Sequence, residues 1–333
     1  MAITTDPANT AYRAALEGKV FFRVKDPGVL RFEGPDQSPF LQRQSTNDIH
    51  LLTPDRALVS VLVNANARIL DVLTLFQEGS GLNALTLPGY AASTAHFLRS
   101  RIFFMDKVSL QELSQDFVQF ELEGPKAGEL LHELGFDHTP VLDESITTMF
   151  HDGHLRVIGR RGFLGTGYLL LASADQAGEL LAALHSYEVA ELTPDIHEVL
   201  RVESGIPGAE SELNNQYTPL ETGLTWAVAT EKGCFTGQEI IARQITYDKV
   251  TQHLVGLQLE ALLPQGEKLW VEGKPVGTVT SVVSSPTFGP IALGVVKRPY
   301  HEPGTPLSTD AKSDVSGAQA TVTSLPFRPH ALP

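Results

Sequence analysis

The feature that most narrows the folds open to this chain is a local pattern that occurs twice. Arg31-Phe32-Glu33-Gly34-Pro35 runs into a helical pattern carrying Phe40 and Leu41, and Glu121-Leu122-Glu123-Gly124-Pro125 runs into one carrying Leu130 and Leu131. The two Glu-Gly-Pro triplets stand 90 positions apart. In each, a β-rich run stops at glycine and proline takes an early helical position, where its missing N–H leaves nothing unsatisfied. Two related α+β units are therefore expected.

Hydrophobic periodicity fills in these units. Residues 20–24 and 29–32 flank Lys25-Asp26-Pro27-Gly28 and read as a hairpin, with a helix starting near Asp36. Residues 57–63 and 69–76 form a second expected hairpin around Asn64-Ala65-Asn66-Ala67, and Ala91, Ala95 and Leu98 have helical spacing. A strand is expected at 107–110, and in the second unit a strand covers 117–122, a hairpin turns at Asp152-Gly153, a strand covers 168–172 and a helix covers 174–185. From Val250 onward the runs are short, β-rich and punctuated by Gly and Pro, which is the pattern of a small antiparallel barrel.

Charge and composition limit the partners. The 333 residues include 25 Lys and Arg against 39 Asp and Glu, a net charge of −14 that repels phosphate backbones, so no direct nucleic-acid partner is expected. One cysteine cannot form an internal disulfide, and no cysteine pair exists to hold a cluster permanently. Residues 1–19 are polar with no apolar leader core, and no apolar run approaches the roughly 20 residues that cross a bilayer. The expected setting is cytoplasmic, with no membrane partner.

The segment 194–244 is richest in chemical signals. It holds Arg201-Val202-Glu203-Ser204-Gly205-Ile206-Pro207, then Thr218-Pro219-Leu220-Glu221, then Lys232-Gly233-Cys234-Phe235-Thr236-Gly237-Gln238-Glu239. A lone cysteine is most simply a small buried hydrophobe. Cys234, however, lies two residues from Lys232 and just before an expected helix over 238–245, and both a cation and a helix N-terminus favour thiolate over thiol. Gly233 and Gly237 allow a tight turn or close approach of a ligand, which a merely buried cysteine does not need.

This octapeptide resembles the signature of the YgfZ-type folate-binding proteins, relatives of the glycine cleavage T-protein (aminomethyltransferase) that assist iron-sulfur cluster maturation. The resemblance runs over roughly residues 20–300. Phe40-Leu41-Gln42-Arg43-Gln44-Ser45-Thr46-Asn47-Asp48-Ile49 resembles the N-terminal motif of that family, Arg201 to Pro207 its Arg-x-Glu-x-Gly-Ile-Pro element, and Gly277 to Ser281 with Ile291 to Gly294 the T-protein barrel. The implied fold is α+β, a three-domain aminomethyltransferase-like cloverleaf of two α+β domains and a C-terminal antiparallel β-barrel. It implies an interleaved first domain, 20–116 plus 194–249, a second at 117–193 and the barrel at 250–333. The implied cofactor is tetrahydrofolate or a derivative, and the implied partners are iron-sulfur client or assembly proteins, with an indirect effect on tRNA modification. Lys232 and Arg243 are then candidates for the anionic folate tail, Arg201 and Glu203 for the pterin ring, with Gly233, Gly237 and Gln238 beside them. No resident metal is implied.

Departures from the enzyme weigh against aminomethyl transfer. Where the enzyme has Gly-Gly-x-x-Asp-Asp, this chain keeps Asp71 but has Val72 in place of the second acid and Ala67-Arg68 in place of the glycines. Gly167-Tyr168-Leu169 replaces an enzyme Gly-Phe-Glu element, so a pterin-binding carboxylate is lost. From the YgfZ pattern it departs at His253, where a basic position usually holds Arg. The competing expectation is a folate-dependent one-carbon transferase using Asp71 as its carboxylate. His151 and His154 read as residues flanking a turn, and Gly162 to Gly167 has the wrong glycine order for a dinucleotide loop.

Overall fold

Three sheets, each with its own core, organise the chain in a computed structural model that describes residues 7–311 and 319–329. Helix α1 (Pro7–Glu17) and strand β1 (Val20–Arg23) come first. The sequence pattern predicts no helix before Asp36, yet α1 forms on a face that buries Tyr12 and Ala15 against the second unit and the barrel.

The first unit contains β2 (Gly28–Glu33), α2 (Gln37–Gln44), β3 (Leu58–Val63), β4 (Ile69–Glu78), β5 (Gly81–Thr86), α3 (Ala91–Arg99) and β6 (Ser109–Glu112), in the sheet order β3-β4-β5-β2-β6. The second contains β7 (Phe117–Glu123), α4 (Ala127–Glu133), β8 (Ser145–Phe150), β9 (Gly153–Gly162), β10 (Gly165–Ser173), α5 (Ala177–Ser186) and β11 (Ala190–Glu191). Its order, β8-β9-β10-β7-β1-β11, repeats the first with β1 where β6 stands. Each Glu-Gly-Pro triplet makes the same corner. Gly34 has φ +112° with Lys107 O 2.2 Å from where a Cβ would sit, and Gly124 has φ +106° with Gly18 O at 2.5 Å. Both corners are thus crossed by another stretch of backbone, which only glycine permits.

Two readings need correction. Residues 20–24 and 29–32 do not form a hairpin: β1 pairs with β7 and β11, and β2 pairs with β5 and β6. The turn chemistry at 25–28 is a crossing between sheets, and β1, expected in the first unit, hydrogen-bonds within the second. Local pattern cannot distinguish the two, because both present strand, turn, strand.

Buried side chains from the two sheets meet in one apolar cluster that includes Val29, Phe76 and Leu85 of the first and Ile158, Leu169 and Leu171 of the second. The paired units also carry reversed charge. Arg31 on β2 meets Glu33 and Glu78, whereas Glu121 and Glu123 on β7 meet Arg160 on β9.

Helix α6 (Pro194–Glu203), started by Thr193 accepting from Ile196 N, packs on the barrel, and α7 (Gln238–Thr246) follows the cysteine loop. The barrel strands are β12 (Gln252–Leu259), β13 (Lys268–Val271), β14 (Lys274–Ser285), β15 (Gly289–Lys297), β16 (Pro306–Leu307) and β17 (Ala320–Thr323). Their order is β13-β14-β15-β12-β17-β16, and a two-bond bridge between Trp270 and Ser308 nearly closes the sheet on itself. Among the described residues no helix is long and apolar enough to cross a membrane.

Candidate functional site

The β3–β4 hairpin is the scaffold on which the sequence-marked residues gather. Asn64 Oδ1 accepts from the N–H groups of Asn66 and Arg68, which fixes the tip, and a register shift between Leu62 and Val63 precedes it. On β4, Asp71 is fully buried. Its Oδ1 accepts from Val72 N at 2.8 Å and Leu87 N at 2.9 Å, and its Oδ2 accepts from Thr94 Oγ1 at 2.5 Å. Burial raises its pKa to about 7 against the pull of these donors. Val72 is its neighbour on the strand and packs at the edge of the cluster of Val61, Ile69 and Leu224. Tyr90 and Glu210 lie close enough to be felt: burial, Glu210 and Asp71 together raise the Tyr90 phenol, whose oxygen also meets a backbone hydrogen bond from Glu210. Sequence reasoning missed Thr94, Tyr90 and Glu210, because no spacing along the chain links them to Asp71.

The segment 205–228 crosses the other face of this hairpin. Ile69 N donates to Tyr217 O, Arg68 Nη1 donates to Gln216 O and to Glu221 Oε2, and Leu254 N of the barrel donates to Glu221 O. First unit and barrel are therefore tied through a single irregular stretch.

The cysteine octapeptide docks next to it. Lys232 Nζ donates to Ser45 O at 2.8 Å and Asn47 O at 2.6 Å, and sits 5.0 Å from the centroid of the Phe235 ring. Burial depresses this ammonium to about pKa 8, and Asp48 opposes the shift. Thr236 N donates to Arg43 O, and Phe235 is buried with Ala67, Leu220, Val228 and Ile241. Gly237, at φ +81°, is the N-cap of α7 and lies on the hairpin, where a Cβ would come within 2.8 Å of Asn64 O. Gly233 has open space around it, so the close approach expected of both glycines belongs to Gly237 alone. Between these anchors Cys234 is exposed. Lys232 donates to two carbonyl groups of the first unit, so it acts on the loop as a latch. Gln238 is half-buried at the start of α7, and Arg243 is exposed and paired with Glu239 one turn earlier.

Arg201 and Glu203 are elsewhere engaged. Arg201 is buried, forms a two-pronged contact with Glu198, and donates to Glu212, Ile206 O and Ser281 Oγ of the barrel. Glu203 is buried and accepts from Tyr12 and Ser285, with Arg328 at 3.6 Å. The structure thus places this pair at the junction of α6 with β14 and does not bring it into contact with Asp71 or Cys234. His253 stacks on His301 at 4.5 Å between centroids, inside the barrel domain. Two cavities of about 630 Å³ open in other places, one beside Arg23 and Lys25 and one beside Met149 and Tyr187, and neither is lined by Asp71, Lys232 or Cys234.

Comparison with known proteins gives a consistent picture. Residues 5–232 match the family model described as the GCVT N-terminal domain, and residues 252–328 match the glycine cleavage T-protein C-terminal barrel domain. A chloroplastic protein of Arabidopsis thaliana, described only provisionally as a transferase, is 28% identical over 95% of this chain and 74% of its own. The aminomethyltransferase of Synechocystis is 27% identical over 92% of this chain and 85% of its own. The crystal structure of an aminomethyltransferase T from Bartonella henselae superposes with a TM-score of 0.83 at 24% identity, over 96% of this chain and 89% of that one, and shows the shared fold.

Proposed function

From the premise that this chain belongs to the glycine cleavage T-protein family, we propose that it is a tetrahydrofolate-binding accessory protein of the YgfZ type. In this reading it supports the maturation or repair of iron-sulfur enzymes, with an indirect effect on tRNA modification. The observation that carries the reading is the setting of Cys234, exposed on a loop that Lys232, Thr236 and Gly237 clamp to the first unit. A cysteine serving only as a core hydrophobe would be buried. The thiol is presented by a rigid mount, which suits a group that meets another molecule.

The residues around this mount are compatible with a reduced pterin. Such a ring is rich in N–H donors and needs acceptors. Gln44 Oε1, beside the Lys232 latch, and Thr218 Oγ1, beside the Tyr217 crossing, are buried and have no hydrogen-bond partner. These two, with the Glu210 carboxylate and the Tyr90 hydroxyl, would hold the ring, and Arg243, exposed on α7, would meet the anionic tail, while Lys232 keeps its carbonyl partners. Bound folate would supply a carrier for one-carbon units; this chain would supply acceptors and a thiol.

The competing reading, a folate-dependent aminomethyltransferase, needs a carboxylate able to reach an amine. Asp71 is sealed and already accepts three hydrogen bonds, and Val72 beside it cannot titrate. Leu169, standing where the enzyme element has its carboxylate, is packed in the apolar cluster between the sheets. The two readings separate by complementation in a strain lacking the gene. The accessory reading expects Cys234→Ala to leave iron-sulfur enzyme activity low and Asp71→Asn to restore it. Full restoration by Cys234→Ala would remove the accessory role, and turnover of aminomethyl-lipoyl carrier protein that is lost in Asp71→Asn would establish the transferase.

A further inference from the structure

The connection from α3 to β6 ends in a feature that the folate reading does not use. Phe103, Phe104 and Met105 are consecutive and 66%, 97% and 73% exposed. They do not hang from a loose loop. Asp106 N donates to Phe103 O at 2.9 Å, Phe103 N donates to Asp106 Oδ2 at 3.0 Å, and Arg43 Nη2 donates to Asp106 Oδ1 at 2.8 Å. The turn is held from both ends with its apolar side chains pointing away from the protein, so their ordering cost is met before anything binds. Cations collar it. Arg99, Arg101 and Lys107 stand on the same connection or at its ends, and Arg43 packs against it already paired with Asp106, in a chain whose net charge is −14. The two acids within the collar are engaged: Asp106 as above, and Asp36 with Lys107 N.

We infer that the turn 103–105 is a docking tip for an anionic lipid surface, with its three apolar side chains entering the headgroup layer and the collar meeting lipid phosphates. Charge complementarity points to an anionic partner, and size distinguishes a bilayer from a protein. A stable protein interface covers about 800 Å² per partner, whereas two phenylalanines of roughly 150–250 Å² each with one methionine beside them fall short of it. A membrane needs no such area, because a few inserted side chains plus nearby cations together give reversible attachment. The negative charge of the remaining surface is screened beyond about 8 Å at physiological salt, so the local collar decides. Attachment of this kind is distinct from spanning by a helix, for which no helix among the described residues is long and apolar enough. Arg43 also joins the tip to the cysteine loop, since its carbonyl accepts from Thr236 N. A docked chain would therefore hold the Cys234 loop near the surface. The inference does not depend on folate binding.

The test is flotation of the full chain with phosphatidylcholine vesicles, with and without an equal part of phosphatidylglycerol. Binding is expected only with phosphatidylglycerol, weakening as salt rises. Phe104→Ser with Met105→Ser should lower the bound fraction about tenfold and Arg101→Glu several-fold. Leu262→Ser, which changes an exposed apolar residue of another element, should not alter it. Because all four side chains lie at the surface or half-buried, unchanged thermal unfolding midpoints will show that the variants are folded. Absence of binding at low salt, equal binding to both vesicles, or unchanged binding by the Phe104 and Met105 double variant would each overturn the inference. Concentration-dependent dimerisation that Phe104→Ser abolishes, without vesicle binding, would assign the tip to a second copy of the chain instead.

Discussion

Thr94 Oγ1 donates to Asp71 Oδ2 at 2.5 Å, joining the first turn of α3 to the start of β4 in an environment closed to solvent. Every hydrogen bond to this carboxylate comes from a donor, which suits the ionised form, while burial raises its pKa to about 7. From the unfolded value of 3.8 up to about 7, the folded chain keeps a proton that the unfolded chain has released. Stability therefore falls as pH rises through that window. Asn at this position can still accept from Leu87 and Val72 and can donate to the Thr94 oxygen. Asp71→Asn should fold and should gain stability over the wild type, on the order of 3 kcal/mol more at about pH 8 than at about pH 5. Urea unfolding at the two pH values measures it, and a steeper loss in the variant would contradict the assignment.

Lys232 has the opposite sign. Its folded pKa of about 8 lies below the usual 10.5, so the unfolded chain binds more protons between those values and stability rises with pH across them. Lys232→Met keeps an apolar stem near Phe235 but leaves the carbonyl groups of Ser45 and Asn47 without their donor. It should destabilise by about 1–3 kcal/mol, remove the alkaline rise and loosen residues 232–237 in amide exchange. A variant that leaves amide exchange unchanged would show that Lys232 does not hold the loop.

Gly233 and Gly237 should respond differently to alanine. Gly237→Ala forces a Cβ at positive φ into Asn64 O and should cost at least about 1–2 kcal/mol. Gly233→Ala meets open space and should be near neutral. Chemical denaturation of the two variants side by side checks the contrast.

Arg201→Met leaves Glu212, which is wholly buried, without its ion-pair partner. About 3–5 kcal/mol of stability should be lost, with the α6–barrel junction the first region to exchange its amides. A stable variant with reduced folate affinity would instead return Arg201 to the ligand role that its sequence motif suggests.

Much of this architecture was legible because it depends on local pattern. The Glu-Gly-Pro corners, the β3–β4 hairpin at 64–67, α7 after Gly237 and most barrel strands each carry their own period and punctuation. What escaped was long-range. The pairing of β1 with β7 depends on an element almost a hundred residues away, and nothing between residues 20 and 32 encodes it. The site divides in the same manner. Asp71 and the cysteine loop announce themselves in sequence, whereas Thr94, Tyr90 and Glu210 become relevant only once α3 and the 205–228 crossing fold against β4. Arg201 and Glu203 show the converse, since a conspicuous motif can be made of residues that hold two domains together.

The most direct measurement is the rate at which Cys234 reacts with a thiol reagent during titration with tetrahydrofolate, alongside calorimetry of the same titration. The account predicts saturable folate binding and a change in Cys234 reactivity that saturates at the same folate concentration. Heat of binding with no change in the thiol would separate the cysteine from the folate site, and absence of both would contradict the account at its centre.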